Sequence, residues 1–239
     1  HTIIDASERF RGKSAGGLYG DVVEEFDYET GRLLDTLDEL KLTTNTLVIY
    51  TSDNGPWNQD KYTKKKKGHP KDSIFWGESG PLRNGKGSPY EGGYRLPCIV
   101  RWPEKVPAGH FSDANFATID FMPTFANLAG FDVPDDRRMD GIDQTDLLLG
   151  QRQTGRNYFY FHNAGVRQGK WKYLSPNAHF HGYAVEDDRK KVEELYDLEA
   201  DLGERTNLAQ KFPDKVAELK ALMQSIEAGD RLAPSDNKR

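Results

Sequence analysis

The chain has 239 residues, 36% hydrophobic and 30% charged, with 12 Phe, 11 Tyr and 4 Trp; this excludes a disordered chain and corresponds to roughly one and a half domains. A net charge of -5 leaves no basic stripe for a nucleic-acid partner, and no apolar run approaches the roughly 20 residues that span a bilayer. The single cysteine, Cys98, excludes an internal disulfide and leaves the redox compartment open.

The chain opens on His1 with neither an initiator Met nor a signal peptide, as if cut from something longer. Residues 1–15 carry little periodicity and read as loop. From Tyr19 to Leu40 the apolar residues Tyr19, Val22, Val23, Phe26, Leu33, Leu34, Leu37 and Leu40 follow the 3–4 spacing of an amphipathic helix. Asp21, Glu24 and Glu25 fall in its first turns, where they suit the helix dipole. Leu47 to Tyr50 is an uninterrupted apolar run, which predicts a strand buried on both faces as in a parallel sheet. Thr51-Ser52-Asp53-Asn54-Gly55-Pro56 follows at once. Ligands of open α/β sheets sit at the carboxyl ends of strands, so Asp53 and Asn54 are candidates; the same residue types also make an ordinary turn.

Residues 57–90 form a long polar stretch containing Trp57, Trp76 and the run Lys64 to Lys67. Such a run either meets a polyanionic substrate or is a solvated loop tip. Five of the residues from Gly80 to Gly93, both ends included, are glycines, which permit close backbone approach or positive φ. Lys86 lies between two of them, as an anion holder would, although the spacing is not that of a Walker loop. Cys98-Ile99-Val100 with Trp102 predicts a second buried strand and makes Cys98 an inert core thiol. Thr118 to Leu128 predicts a helix stopped by Gly130, and Asp143 to Leu149 a short helical piece. Tyr158 to Phe161 reads as an aromatic strand, residues 165–174 as a hairpin turning near Gln168-Gly169, Leu195 to Leu198 as a strand, and Asp214 to Ile226 as an amphipathic helix. Residues from about 151 therefore suggest a small antiparallel sheet with one covering helix. No internal repeat is present.

Four motifs recur in order: Thr51 to Pro56; Gly80-Pro81-Leu82-Arg83-Asn84-Gly85-Lys86-Gly87; Glu91-Gly92-Gly93-Tyr94-Arg95-Leu96-Pro97; and Glu194-Leu195-Tyr196-Asp197-Leu198. Together they closely resemble the type I, formylglycine-dependent sulfatases of the alkaline phosphatase superfamily, C-terminal portion only, over residue 1 to about 210. The resemblance implies an α/β fold: part of a large mixed sheet sandwiched by helices, plus a small C-terminal antiparallel sheet with one covering helix. It implies a catalytic α/β part over 1–150 and a small α+β domain over 151–239. It also implies sulfuric ester hydrolysis by the parent protein, on a sulfated carbohydrate by preference over a simple aryl sulfate.

Site roles follow from the same resemblance. Asp53 and Asn54 correspond to ligands of a Ca2+ ion, with Mg2+ as the alternative, and hard oxygen donors suit either cation. Lys86 corresponds to the lysine that holds sulfate oxygens. His1 corresponds to the histidine that contacts the sulfate near its leaving oxygen. Trp57 and His162 are candidate substrate contacts, and Tyr62, Trp76, His179 and His181 further candidates for the mouth; each is equally readable as ordinary packing. The family's nucleophile is a formylglycine made from Cys or Ser in a C/S-x-P-x-R motif. No Cys or Ser here is followed by x-Pro-x-Arg, and the family's N-terminal acidic metal ligands are also missing. Both are expected in a portion preceding His1, so the isolated chain is expected to be inactive. Smaller departures are Asn84 where Gly is common and Pro89-Tyr90 where Thr-Trp is common. Periplasmic, secreted or lysosomal location is implied by the family. The alternatives are a phosphoester or phosphonate hydrolase of the same superfamily, and a non-catalytic fragment that binds anionic glycans.

Overall fold

The computed structural model describes residues 4–57, 77–134, 139–161, 164–178 and 190–229. The described residues fall into two compact units, one up to Trp102 and one from Pro103 onward. The expected division near residue 150 lies within the second.

In the first unit, α1 spans Gly17–Glu39. It ends where Lys41 takes a positive φ of 57°. The Lys41 and Leu42 N–H groups then reach back to Asp38 and Leu37 at 3.0 and 2.8 Å, the double bond that closes a helix whose C-terminus turns left-handed. A single 3-10 turn, Thr43–Asn45, leads to β1, Val48–Thr51. A short helix α2, Glu91–Tyr94, precedes β2, Cys98–Arg101. The two strands pair antiparallel, Val48 opposite Arg101 and Thr51 opposite Cys98. Trp102 Nε1 donates to the Thr44 carbonyl at 2.9 Å, tying the end of β2 to the turn before β1.

Two expectations are corrected here. The run at 47–50 is a strand, but its partner is antiparallel and it is half-buried; the large mixed sheet is not seen among the described residues, which hold a two-stranded and a four-stranded antiparallel sheet. An all-apolar run reports that both faces can be covered, not which chain segment covers them. Cys98 is likewise exposed and no core thiol, and its neighbour Ile99 is 62% exposed. Desolvation around the sulfur still pushes the Cys98 thiol up, against a hydrogen bond from Thr51, so the group is a poor thiolate. Helix α1 forms as its periodicity predicts, yet Val23, Phe26, Leu33 and Leu40 on it are exposed.

The second unit opens with a 3-10 turn, Thr118–Asp120, running into α3, Phe121–Leu128. Asp120 is fully buried and accepts from the Ala117 and Ile142 N–H groups at 3.0 and 2.9 Å and from Arg156. Gly130 follows the helix as expected, with φ of 75°. A one-turn helix α4 covers Thr145–Leu148. Strands β3 (Tyr158–Phe161), β4 (Gly165–Gln168), β5 (Trp171–Leu174) and β6 (Glu194–Asp197) form an antiparallel sheet in that order. The β4–β5 hairpin pairs Gln168 with Trp171, a two-residue loop of Gly169-Lys170 of the kind that matches strand twist. Helix α5, Pro213–Glu227, starts on a proline, whose missing N–H costs nothing there. Its Val216, Leu219, Leu222 and Met223 pack on Val166, Tyr173 and Leu195 of the sheet. On the other sheet face Lys172 and Glu204, both fully buried, meet at 2.9 Å.

Candidate functional site

Strand β1 ends at Thr51, and the chain turns through Asp53 and Asn54 before it meets the glycine-rich segment. Two main-chain hydrogen bonds join the two stretches into one body, and a third closes the glycine-rich segment on itself. The Gly55 N–H donates to the Gly93 carbonyl at 3.0 Å, the Lys86 N–H to the Pro56 carbonyl at 2.9 Å, and the Gly92 N–H to the Arg83 carbonyl at 2.9 Å. Such approach requires bare backbone. A β-carbon on Gly55 would collide with the Gly92 carbonyl oxygen, and one on Gly92 with the carbonyls of Arg83 and Asn84. The loop after β1 and the loop carrying Lys86 therefore cannot move independently.

Within this cradle Lys86 is half-buried, and its Nζ lies 5.7 Å from the centre of the Trp57 ring. That is within cation–π range. Asn54 is half-buried and Asp53 exposed. Ser52 Oγ donates to the Asn54 carbonyl at 3.1 Å, and Thr51 Oγ1 donates to the Pro97 carbonyl at 2.9 Å. Both bonds fix the turn without using the Asp53 carboxylate or the Asn54 side-chain amide.

The two departures from the family motif have physical explanations. Asn84 has a φ of 60°, a conformation that Asn tolerates better than other side chains. Its Oδ1 accepts the Gly85 N–H at 2.9 Å, which stabilises that bend. Tyr90 is 1% exposed, and the Arg83 guanidinium sits 3.7 Å from its ring centre. An aromatic ring is thus kept where Trp is common, as the inner support of the loop.

A cation-holding role for Asp53 and Asn54 passes a test of chemistry but only in part. Their carboxylate and amide oxygens are hard donors of the right kind, on adjacent residues, and Ca2+ takes about six to eight such ligands. Among the described residues no group of three or more His, Cys, Asp or Glu side chains could hold a metal. The pair can be part of a coordination sphere and not the whole of it. The structure thus brings together Asp53, Asn54, Trp57 and Lys86, while His1, Tyr62, Lys64 to Lys67, Trp76, His162, His179 and His181 lie outside the described residues. Sequence reading missed Gly77, which sits between Tyr19 and Pro56, and the support given by Arg83. The only signal for Gly77 was its position near the Gly80 to Gly93 cluster.

The family model described as Sulfatase matches residues 1–131, and that described as N-sulphoglucosamine sulphohydrolase, C-terminal, matches residues 85–229. An N-acetylgalactosamine-6-O-sulfatase of Bacteroides thetaiotaomicron is 37% identical over 92% of this chain and 43% of its own length. The steryl-sulfatase of Homo sapiens is 40% identical over 72% of this chain and 28% of its own. Among solved structures, one from Bacteroides thetaiotaomicron, concerned with metabolism of multiple glycosaminoglycans, aligns with a TM-score of 0.77 at 37% identity, covering 92% of this chain and 47% of its own. The PsFucS1 sulfatase of Pseudoalteromonas sp. aligns with a TM-score of 0.76 at 27% identity, covering 92% and 44%. A phosphonate monoester hydrolase of Agrobacterium radiobacter shares the fold, with a TM-score of 0.60 at 23% identity over 90% of this chain and 41% of its own. The chain spans less than half the length of the relatives it matches.

Proposed function

This chain belongs to the sulfatase family, and on that premise we propose that its parent protein is a sulfuric ester hydrolase acting on a sulfated carbohydrate. The observation that carries the reading is the main-chain joint that holds the Asp53 to Trp57 turn against the Lys86 loop. It supports a reading in which the Lys86 ammonium, the side-chain oxygens of Asp53 and Asn54 and the Trp57 ring serve one site. Sulfate-ester cleavage builds charge on the sulfate oxygens and on the leaving alkoxide. A preorganised ammonium at Lys86 stabilises the first electrostatically. A protonated imidazole at His1 gives a proton to the second. The Trp57 face beside Lys86 offers a surface on which a sugar ring can lie, with His162 as a second contact.

Asp53 and Asn54 would help hold Ca2+, or Mg2+ in its place, and such an ion supplies further positive charge to the sulfate. The nucleophile belongs to the portion expected before His1, as a formylglycine. In this reading residues 1–150 complete a catalytic domain with that portion, and residues 151–239 form a small C-terminal domain. Periplasmic, secreted or lysosomal location is part of the proposal; no helix among the described residues is long and apolar enough to cross a membrane.

A shared fold does not choose between sulfur and phosphorus chemistry, so the test is direct. The full-length protein is assayed on a sulfate and a phosphate ester of the same alcohol. Higher kcat/KM on the sulfate is expected, and the reverse order transfers the assignment to phosphoester hydrolysis. In the same protein Lys86→Ala is expected to lose about 2.7–4 kcal/mol of transition-state stabilisation, and Lys65→Ala far less. Equal losses would move the anion site to the lysine run. The 239-residue chain alone is expected to show no turnover; if it hydrolyses the ester when pure, the nucleophile assignment is wrong.

A further inference from the structure

Residues 5–14 are strapped along one face of α1 by contacts that neither the cradle nor the helix itself requires. The Asp21 carboxylate, on a residue 2% exposed, accepts the N–H groups of Gly12, Lys13 and Ser14 at 2.7, 3.0 and 2.8 Å. One turn on, Glu25 accepts the Ser7 N–H at 2.9 Å. A further turn on, the Tyr28 ring lies 3.8 Å from the Arg9 guanidinium and 5.5 Å from the Phe10 ring. Arg11 closes back on Asp5 at 2.6 Å. Residues 21, 25 and 28 share one helical face, so the helix presents a continuous track for the strap.

The track is also joined to the cradle. A β-carbon on Gly77 would lie 2.6 Å from the Tyr19 hydroxyl oxygen and 3.2 Å from Pro56 Cβ. The first turn of α1 therefore touches Gly77, Gly77 touches Pro56, and the Pro56 carbonyl holds the Lys86 N–H. At its other end the strap begins at Asp5, four residues after His1, a stretch that reaches at most about 14 Å. A carboxylate taken out of water is costly unless its lone pairs are filled. Asp21 meets that condition by dictating where the backbone of residues 12–14 runs.

We propose that Asp21 is a positioning residue of the site: by gathering the N–H groups of residues 12–14 it fixes the strap that tethers His1, and the proton donation assigned to His1 depends on that tether. This rests on the sulfatase reading, which gives His1 the leaving oxygen. The test uses the full-length protein and two esters. A sugar or alkyl sulfate has a poor leaving group that needs a proton; 4-nitrophenyl sulfate leaves without one. His1→Ala gives the reference pattern, and Asp27→Asn, on an exposed residue of the same helix, is the control.

Asp21→Asn is expected to lower kcat on the alkyl sulfate by roughly 10–100-fold, up to the lower bound of about 100-fold for general acid catalysis, because the acid is displaced and not removed. It leaves the 4-nitrophenyl ester nearly unchanged, as His1→Ala does, and the amides of residues 12–14 lose hydrogen-exchange protection. Asp21→Glu recovers part of both. Equal loss on the two esters, or exposed amides with unchanged turnover on both, overturns the proposal. Should Asp21→Asn fail to fold, Glu25→Gln carries the test with the same sign and a smaller effect, and an unchanged ratio between the esters there overturns it. A wild-type protein that cleaves neither ester defeats the sulfatase reading itself, and the proposal with it; loss of protection in Asp21→Asn would then show a strap that serves no such site.

Discussion

Helix α5 buries Val216, Leu219, Leu222 and Met223 against its sheet, whereas α1, at 23 residues against 15 the longer of the two, keeps Val23, Phe26, Leu33 and Leu40 in solvent. The contrast extends to the units that contain them. Among the described residues of the first unit the buried apolar side chains are Ala6, Pro89 and Tyr90, while the second unit holds a clustered core. Shape in the first unit is kept by backbone donated to backbone at the cradle and by backbone donated to carboxylates along the strap. The teaching is that a binding site can be rigid where there is little apolar core beneath it. Close main-chain approach restricts motion without needing bulk, at the cost of tolerance to added atoms.

Substitutions in the two units test this contrast. The largest effect is expected in the second unit, at the buried Lys172–Glu204 pair. Glu204→Gln removes the carboxylate that faces the buried Lys172 ammonium and should cost about 3–5 kcal/mol, read by denaturant melts; a change below 1 kcal/mol would mean the pair is not buried as described. Next is Gly55→Ala in the first unit. It forces the two loops apart, and a displacement near 1 Å typically costs about 100-fold in rate. Sulfatase turnover of the full-length protein should fall by that order while melts of the second unit stay put; retained turnover would show that the cradle yields.

Acidification separates the units less. The Asp21 carboxyl is held low chiefly by the Ser14 and Gly12 N–H groups, and that of Asp197 chiefly by Lys170. Both are depressed, so the stability they contribute is complete above the unfolded value near 3.9 and is lost as pH falls through the lower folded values. Amides 12–14 and 199–200 should keep their exchange protection at pH 5 and lose it only below about pH 4. Loss at pH 5 would argue against the bonds. The smallest effect is expected at Lys170→Ala, whose partner bond to Asp197 is 2.7 Å but whose side chain is 39% exposed; solvent screening limits it to about 0–1 kcal/mol.

Local features were the legible ones. Helix α1, helix α5, the Gly169-Lys170 hairpin and the Gly130 stop follow from periodicity and turn chemistry within a few residues of sequence. The small sheet under α5 was also legible, because its strands are short and its hairpin local. What could not be read was pairing at a distance. Nothing near Leu47 says that its strand will meet Cys98 in antiparallel register, and nothing near Gly55 names Gly93 as its acceptor. The acidic residues at the start of α1 suggested an interaction with the helix dipole. Asp21 and Glu25 instead take donors from a strap 7–18 residues upstream in the chain, a use that composition cannot distinguish from the first.

The cradle has one consequence for how this chain can vary. Its shape is specified by where side chains are missing, so the usual ranking of substitutions is inverted there. Gly55→Ala adds one methyl group and is the more disruptive change, because that methyl meets the Gly92 carbonyl. Asn84→Gly removes a whole amide and is the milder one, since the residue already holds the φ of 60° that glycine adopts freely. Drift in this loop is therefore expected to exchange Asn84 and similar positions readily while Gly55 and Gly92 stay as they are.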